Sequence, residues 1–262
     1  MDAELEQFLA QTGRTYRYLL KTDSSQNQAR NLAAEGAAEG AIVVAEAQTA
    51  GRGRLGRPWR SAPRASLTFS LLLRPGFAGE RLPLISFAAA VALREAVGVG
   101  GLKWPNDLLS PPGPLPEGAN PAAGEGGRCK KLAGILVEAA FQPDGVVAVL
   151  GIGLNVKNPV PEGAAALEDY SSLSRAQALG RFLEHFDRRY LSLNRGGEEV
   201  LGAWRGYSYT LGQRVRVRTP QGELEGLAVS LGADGSLLVE SGGEKKAVSV
   251  GEVSLIGTLE KL

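Results

Sequence analysis

The sequence predicts an α+β chain in two parts, a large mixed domain over residues 1–206 and a small all-β domain over residues 207–262. Three observations predict it. Apolar residues recur at strand and helix spacing by turns through the first part. One long apolar helix sits in its middle. Beyond Tyr207, short β-prone runs are cut by closely spaced turn signals.

Residues 16–20 read as a short strand, and Asp23-Ser24-Ser25 is an N-cap cluster for a helix that runs through residues 29–34 and stops at Gly36. The β-branched stretch 41–45 is a second strand. A glycine- and arginine-rich loop, 51–60, separates it from the alternating strand 66–71. Pro83, with its fixed φ, opens a helix from Leu84 to about Val97 that is polar at so few positions that it belongs in the core. Three strands follow, around residues 102–109, 132–141 and 146–156. Between the first two lies segment 110–128, whose five prolines and five glycines suit neither a helix nor a central strand, so a disordered insertion is expected. A helix with apolar positions Leu179, Phe182, Leu183, Phe186, Tyr190 and Leu193 closes the large domain, and Phe182 and Trp204 read as core. The runs 214–218, 224–231, 236–240 and 245–250 alternate with Pro220-Gln221-Gly222, Ala233-Asp234-Gly235 and Ser241-Gly242-Gly243. That turn density is the mark of a small β-barrel of roughly fifty residues. There is no internal repeat.

Composition excludes several kinds of chemistry. With 44% apolar residues in 262, the chain is an ordinary globular protein. No apolar run can cross a bilayer and the N-terminus opens on acidic residues, so a cytoplasmic protein without a membrane partner is expected. A single cysteine, Cys129, rules out an internal disulfide and a thiolate metal site, and with no companion histidine it reads as incidental. The single histidine, His185, rules out a His-built zinc site and a Ser-His-Asp triad, and its place on an amphipathic helix reads as packing or surface. A net charge of +1 offers no general grip on nucleic acid. Any anion site must be local.

Four segments carry chemistry. In Gly51-Arg52-Gly53-Arg54-Leu55-Gly56-Arg57-Pro58-Trp59-Arg60, three glycines let backbone approach a ligand and four arginines offer forked donors for phosphate or carboxylate. A single copy between apolar strands speaks against an RNA-binding repeat. No Gly-Lys-Ser/Thr ends it and no helix follows it, so it is neither a Walker loop nor a dinucleotide fingerprint. Lys103-Trp104-Pro105-Asn106-Asp107 breaks a strand-like context with a cation, an amide and a carboxylate; by composition alone it is a turn. Lys131-Leu132-Ala133-Gly134-Ile135-Leu136-Val137-Glu138 is a strand headed by lysine, with a glycine where a ligand could pass. Gly151-Ile152-Gly153-Leu154-Asn155-Val156 has two alternating glycines that weaken a strand unless something packs on the bare backbone.

Taken in this order, the four segments closely resemble the catalytic domain of biotin–protein ligases, over about residues 16–262. The resemblance implies a mixed, mainly antiparallel sheet flanked by helices, of class II synthetase-like kind, then an SH3-like barrel. It implies a short form without the DNA-binding domain of some members. It also implies the activity, ATP-dependent joining of biotin to a lysine of the biotin carboxyl carrier protein of acetyl-CoA carboxylase through biotinyl-5′-AMP, with Mg²⁺. Carried over by position, Ser24, Ser25 and Gln26 stand at the family's Ser-Thr-Asn-like motif that holds the biotin ring, departing from it at two of three places. Gln48 matches a glutamine that contacts the ureido group and tail. Gly51, Arg52, Gly53, Arg54, Arg57 and Trp59 match the adenylate loop, with Arg52 and Arg54 toward carboxyl and phosphate and Trp59 on the adenine side; Leu55 replaces an arginine of some members. Lys131 would bridge the biotin carboxylate and the α-phosphate, Gly134 would line the biotin slot, Lys103 and Asn106 would join the ATP site, and Asn155 would read the adenine edge. Lys131, Arg52 and Asp107 are the implied catalytic residues, Asp107 either holding Mg²⁺ or orienting the acceptor lysine.

A lipoate or octanoyl ligase or transferase of the same fold is the runner-up, and it lacks the Arg-Arg-x-Ser-Gly-Gly-Gly-like loop it would need. A DNA-binding repressor finds no basic recognition helix, and a biotin-accepting carrier is excluded because Met1 is the only methionine of the Met-Lys-Met site it would need. The family also leaves room for a homodimer joined through sheet edges.

Overall fold

The computed structural model describes residues 2–60, 63–77, 79–113, 129–143, 145–220 and 222–256. Most of the Pro/Gly-rich segment expected over 110–128 lies outside them.

The large domain is built on one seven-stranded sheet. In chain order its strands are β1 (Tyr16–Leu19), β2 (Ile42–Ala45), β3 (Ser66–Leu73), β4 (Gly101–Lys103), β5 (Asp107–Leu109), β6 (Lys131–Gln142) and β7 (Gly145–Asn155). They lie in the order β1-β2-β3-β7-β6-β5-β4. Only β1 and β2 run parallel, joined by helix α2 (Ser25–Ala34); the other pairs are antiparallel. The stretch expected as one strand over 102–109 is instead the hairpin β4–β5. Pro105 supplies no N–H for a ladder, and Trp104-Pro105-Asn106 makes the turn.

Alternation along the strands separates the two faces of this sheet. On β7, Ala148, Leu150, Ile152 and Leu154 enter the main core, as do Leu67, Phe69 and Leu71 of β3. There they meet α1 (Ala3–Gln11), α3 (Leu84–Val97), α4 (Arg175–Ser192) and α5 (Glu198–Tyr207). Pro83 precedes α3 with helical φ and ψ, and Gly98 ends it in the left-handed region. Phe69 packs edge-on to Phe182, which stacks on Phe186, and Trp204 packs on Phe87. The opposite face changes character along its length. Val147 and Val149 of β7, with Leu72 of β3, are covered by Ala29 and Leu32 of α2. Farther along the same face come Gly151, Gly153 and Asn155, opposite Ser70, Thr68 and Ser66. Helix α2 covers the apolar end and reaches Gly151 with Gln26, so Gly153 and Asn155 are left for something else.

The C-terminal strands are β8 (Arg214–Thr219), β9 (Gly222–Leu231), β10 (Leu237–Ser241), β11 (Glu244–Val248) and β12 (Glu252–Leu255). They form an antiparallel sheet in the order β11-β10-β9-β8-β12. Trp104 fastens the two parts together: its indole Nε1 donates to the Gly235 carbonyl at 2.9 Å and its backbone N–H to Thr210 Oγ1 at 2.9 Å.

Candidate active site

A cavity of about 820 Å³ lies over the uncovered end of the large sheet. Its floor is a cross-strand row: Thr68 of β3 pairs with Gly153 of β7, Gly153 with Gly134 of β6, Gly134 with Asp107 of β5, and Asp107 with Lys103 of β4. Two glycines side by side in the middle of a sheet leave a strip of bare backbone, and the Trp59 indole lies on it. A methyl built on Gly153 would overlap the indole, and one on Gly134 would stand 3.2 Å from the ring and from Lys131 Nζ. One row along, Gly151 has the Gln26 side chain over it, and Gln26 Nε2 donates to the Leu136 carbonyl at 3.2 Å.

Helix α2 presents Ser24, Ser25 and Gln26 at one end of this floor, all three buried. Ser24 takes the N-cap place without a side-chain cap bond, so its hydroxyl is not spent on the helix. Ser25 donates its backbone N–H to Gln48 Oε1 at 2.7 Å and shares a hydrogen bond of 2.8 Å with Ser70 Oγ.

The segment 51–59 folds as a tight hairpin over the cavity. Gly53 N–H donates to the Arg57 carbonyl at 2.7 Å and Trp59 N–H to the Gly51 carbonyl at 2.9 Å. Leu55 and Gly56 take positive φ at its tip. Gly51 is wedged between Gln48 and the Trp59 backbone with no room for a Cβ, and it stands behind the cavity instead of lining it. The arginines go three ways. Arg52 donates to Asn27 Oδ1 at 2.8 Å and lies 3.5 Å from Glu138, so its head is turned toward α2. Arg54 reaches the Gly251 carbonyl at 3.4 Å, and burial pushes its guanidinium below the usual arginine range against the opposing pull of Asp107 and Glu252. Arg57 pairs with Glu252.

At the centre, Lys131 Nζ stands 2.7 Å from Asp107 Oδ1 and 5.7 Å from the Trp59 ring centroid. Asn106 spends its amide on the Ile135 carbonyl at 2.8 Å, and Asn155, buried, reaches the Lys131 carbonyl at 3.4 Å. Among the described residues, the buried Trp59 Nε1 and Thr68 Oγ1 make no hydrogen bond, and the buried Asp107 Oδ1 has the Lys131 ammonium as its partner. All three residues line this cavity. A buried polar group without a partner is costly, so the first two mark where a polar ligand would bind.

Apart from Gly51, every residue expected at the site lines this cavity, while His185 and Cys129 lie elsewhere. The sequence reading missed Thr68 and a second wall, made by residues 161–164, by Arg216 and Arg218 of β8, and by residues 251–256 around β12.

Comparison with known proteins agrees with this geometry. Residues 19–155 match the model of the biotin/lipoate A/B protein ligase family, and residues 210–256 match that of the biotin protein ligase C-terminal domain. A biotin–[acetyl-CoA-carboxylase] ligase of Mycobacterium tuberculosis is 34% identical, the match covering 94% of this chain and 86% of that one. The bifunctional ligase/repressor BirA of Bacillus subtilis is 32% identical over 88% of this chain and 71% of its own length. The biotin protein ligase of Aquifex aeolicus, solved in complex with biotin and ATP, superposes with a TM-score of 0.71 at 27% identity, covering 93% of this chain and 99% of that one. The chain therefore belongs to the biotin/lipoate A/B protein ligase family, and to the biotin protein ligases within it.

Proposed function

We propose that the chain joins biotin to a lysine of a biotin carboxyl carrier protein at the expense of ATP, through biotinyl-5′-AMP. The observation that carries this reading is the bare glycine floor Gly134–Gly153, with the Trp59 indole lying on it, Lys131 beside it and an arginine hairpin above it. Ser24, Ser25, Gln26 and Gln48 close the end of the slot where a ureido ring would need donors and acceptors. Attack of the biotin carboxylate on the α-phosphorus, with pyrophosphate as the leaving group, brings two anions together, so Lys131 and Arg52 offset the repulsion and stabilise the equatorial oxygens. Arg52, parked on Asn27 and Glu138, has only to exchange those partners for the anion. Trp59 and Asn155 serve the adenine, with Lys103, Asn106 and Arg57 around the phosphates.

Magnesium fits as an ion shared with the nucleotide. No group of three or more potential metal ligands occurs among the described residues, so Asp107 would supply one carboxylate and the phosphates the rest. Bound there, the ion neutralises phosphate charge. In the second step the acceptor amine must be neutral to attack the mixed anhydride and displace AMP, and Asp107 can take the orienting role once pyrophosphate has left.

The same reading divides the chain into a catalytic domain, 1–206, and an SH3-like domain, 207–262, places it in the cytoplasm without a DNA partner, and allows pairing of two copies through sheet edges. No described helix is long and apolar enough to cross a membrane. Biotin is favoured over lipoate or octanoate by the Gly-Arg-Gly-Arg hairpin. Pyrophosphate exchange into ATP with biotin, lipoate and octanoate offered separately is the test: exchange with biotin alone is expected, and exchange with lipoate alone would overturn the choice.

A further inference from the structure

Behind the hairpin, on the core side of the sheet, lies a buried ionic cluster that the reaction itself does not use. Glu46 follows directly after β2, on the outgoing stem of the hairpin, and is 5% exposed. Its carboxylate accepts from both terminal nitrogens of Arg175 at 2.8 Å, from the Tyr18 hydroxyl, and from the backbone N–H of Arg64 at 2.9 Å. Arg64 stands on the return stem and holds a φ of 64°. Arg175, 4% exposed, also donates to the Ser66 carbonyl at 3.1 Å, where β3 begins, and to Asp2 at the head of α1 at 2.8 Å. The neighbouring Ala65 carbonyl accepts from Val156 N–H and Lys157 N–H at 2.9 and 2.7 Å. One carboxylate thus ties together the two stems from which the hairpin rises.

A buried ion pair is a poor device for stability alone, because desolvation cancels much of its Coulomb gain, but it fixes the position of whatever it binds. Here that is a backbone amide in a left-handed conformation, which the loop would not hold unaided. We propose that Glu46 is a positioning residue: anchored by Arg175 and Tyr18, it holds the return stem through the Arg64 N–H and so sets the height of Trp59 and the loop arginines over the slot. The consequence for retention of the adenylate rests on the function proposed above; the anchoring itself does not.

The experiment compares Glu46→Gln with wild type in the full chain by two readouts. One is the initial rate of trypsin cleavage after Arg52 and Arg54. The other is the rate at which biotinyl-AMP, formed from biotin and ATP, leaves the enzyme. Both should rise about tenfold. Both rates unchanged, even with a lower melting temperature, would reduce Glu46 to a structural residue and overturn the proposal. Should Glu46→Gln fail to fold, Tyr18→Phe removes one donor and leaves the others, and both rates should still rise, by about twofold to threefold; no change would overturn it equally. If the wild type makes no biotinyl-AMP, the proposed function fails, and the trypsin readout alone then decides the anchor.

Discussion

Replacing Gly153 by alanine tests the bare floor directly. Gly153 lies inside the sheet between Thr68 and Gly134, so its backbone cannot retreat, and the added methyl overlaps the Trp59 indole. Carbon atoms settle at about 3.5–4.0 Å, so the ring must withdraw by more than about 1 Å. Overpacking a closed core costs about 1–3 kcal/mol. Here the clashing ring belongs to a hairpin at the surface that can swing away, so the loss of stability should fall near the low end, a melting shift of about 2–4 °C per kcal/mol for a chain of this size. Binding suffers more, because the methyl occupies the slot itself. A hundredfold weaker biotin affinity, about 2.7 kcal/mol, is expected by titration calorimetry. Gly202→Ala on α5 is the control: its methyl would meet nothing within 4 Å and lies away from the cavity, so biotin affinity should not change. Biotin affinity within about threefold of wild type in Gly153→Ala would refute the floor as a ligand slot.

Three further outcomes follow from the same structure. Lys131→Ala should slow biotin-dependent pyrophosphate exchange at least about a hundredfold, while the half-exposed pair with Asp107 adds only about 0–1 kcal/mol of stability; near wild-type exchange would contradict the role given to Lys131. Arg54→Gly removes the contact with Gly251 and adds a flexible residue beside the hairpin tip, so rapid mixing with labelled biotin should show faster adenylate dissociation with synthesis less affected; lost synthesis with unchanged dissociation would place Arg54 in the first chemical step. For pH, burial raises the Glu46 and Asp2 carboxyls, but hydrogen bonds, chiefly from Arg175, outweigh it and hold both below their ordinary values of 4.5 and 3.8. Depressed folded values stabilise the protein above those ordinary values and lose that effect as pH falls through and below them. Resistance to urea should therefore fall below about pH 4.5, and less steeply in Glu46→Gln; equal slopes would contradict the assignment.

The site was legible wherever the sequence broke a local rule. Paired glycines in two apolar strands, an arginine-rich loop between strands and a lysine at a strand head each cost regularity, and each lines the cavity or stands directly behind it. Thr68 was half legible: the alternation Ser66, Thr68, Ser70 announced a polar face, but only the register with Gly153 puts that hydroxyl in the floor. The second wall was not legible, since Arg216, Arg218 and residues 251–256 reach the cavity by tertiary placement that no local pattern encodes. Helix α5 escaped because Gly202 and Gly206 depress its propensity, and β12 because it is only four residues long. The first helix, α1, gave no signal beyond its acidic start, yet Asp2 at its head joins the cluster behind the hairpin.

The central claim, that this cavity activates biotin and passes it to a protein lysine, is tested most directly by incubating the purified chain with labelled biotin, ATP and a biotin carboxyl carrier domain. Biotinyl-AMP should form on the enzyme before the carrier is added, and the label should then move to one carrier lysine with release of AMP. A carrier left unlabelled while the enzyme forms no adenylate, or a transfer that proceeds equally well without ATP, would contradict it.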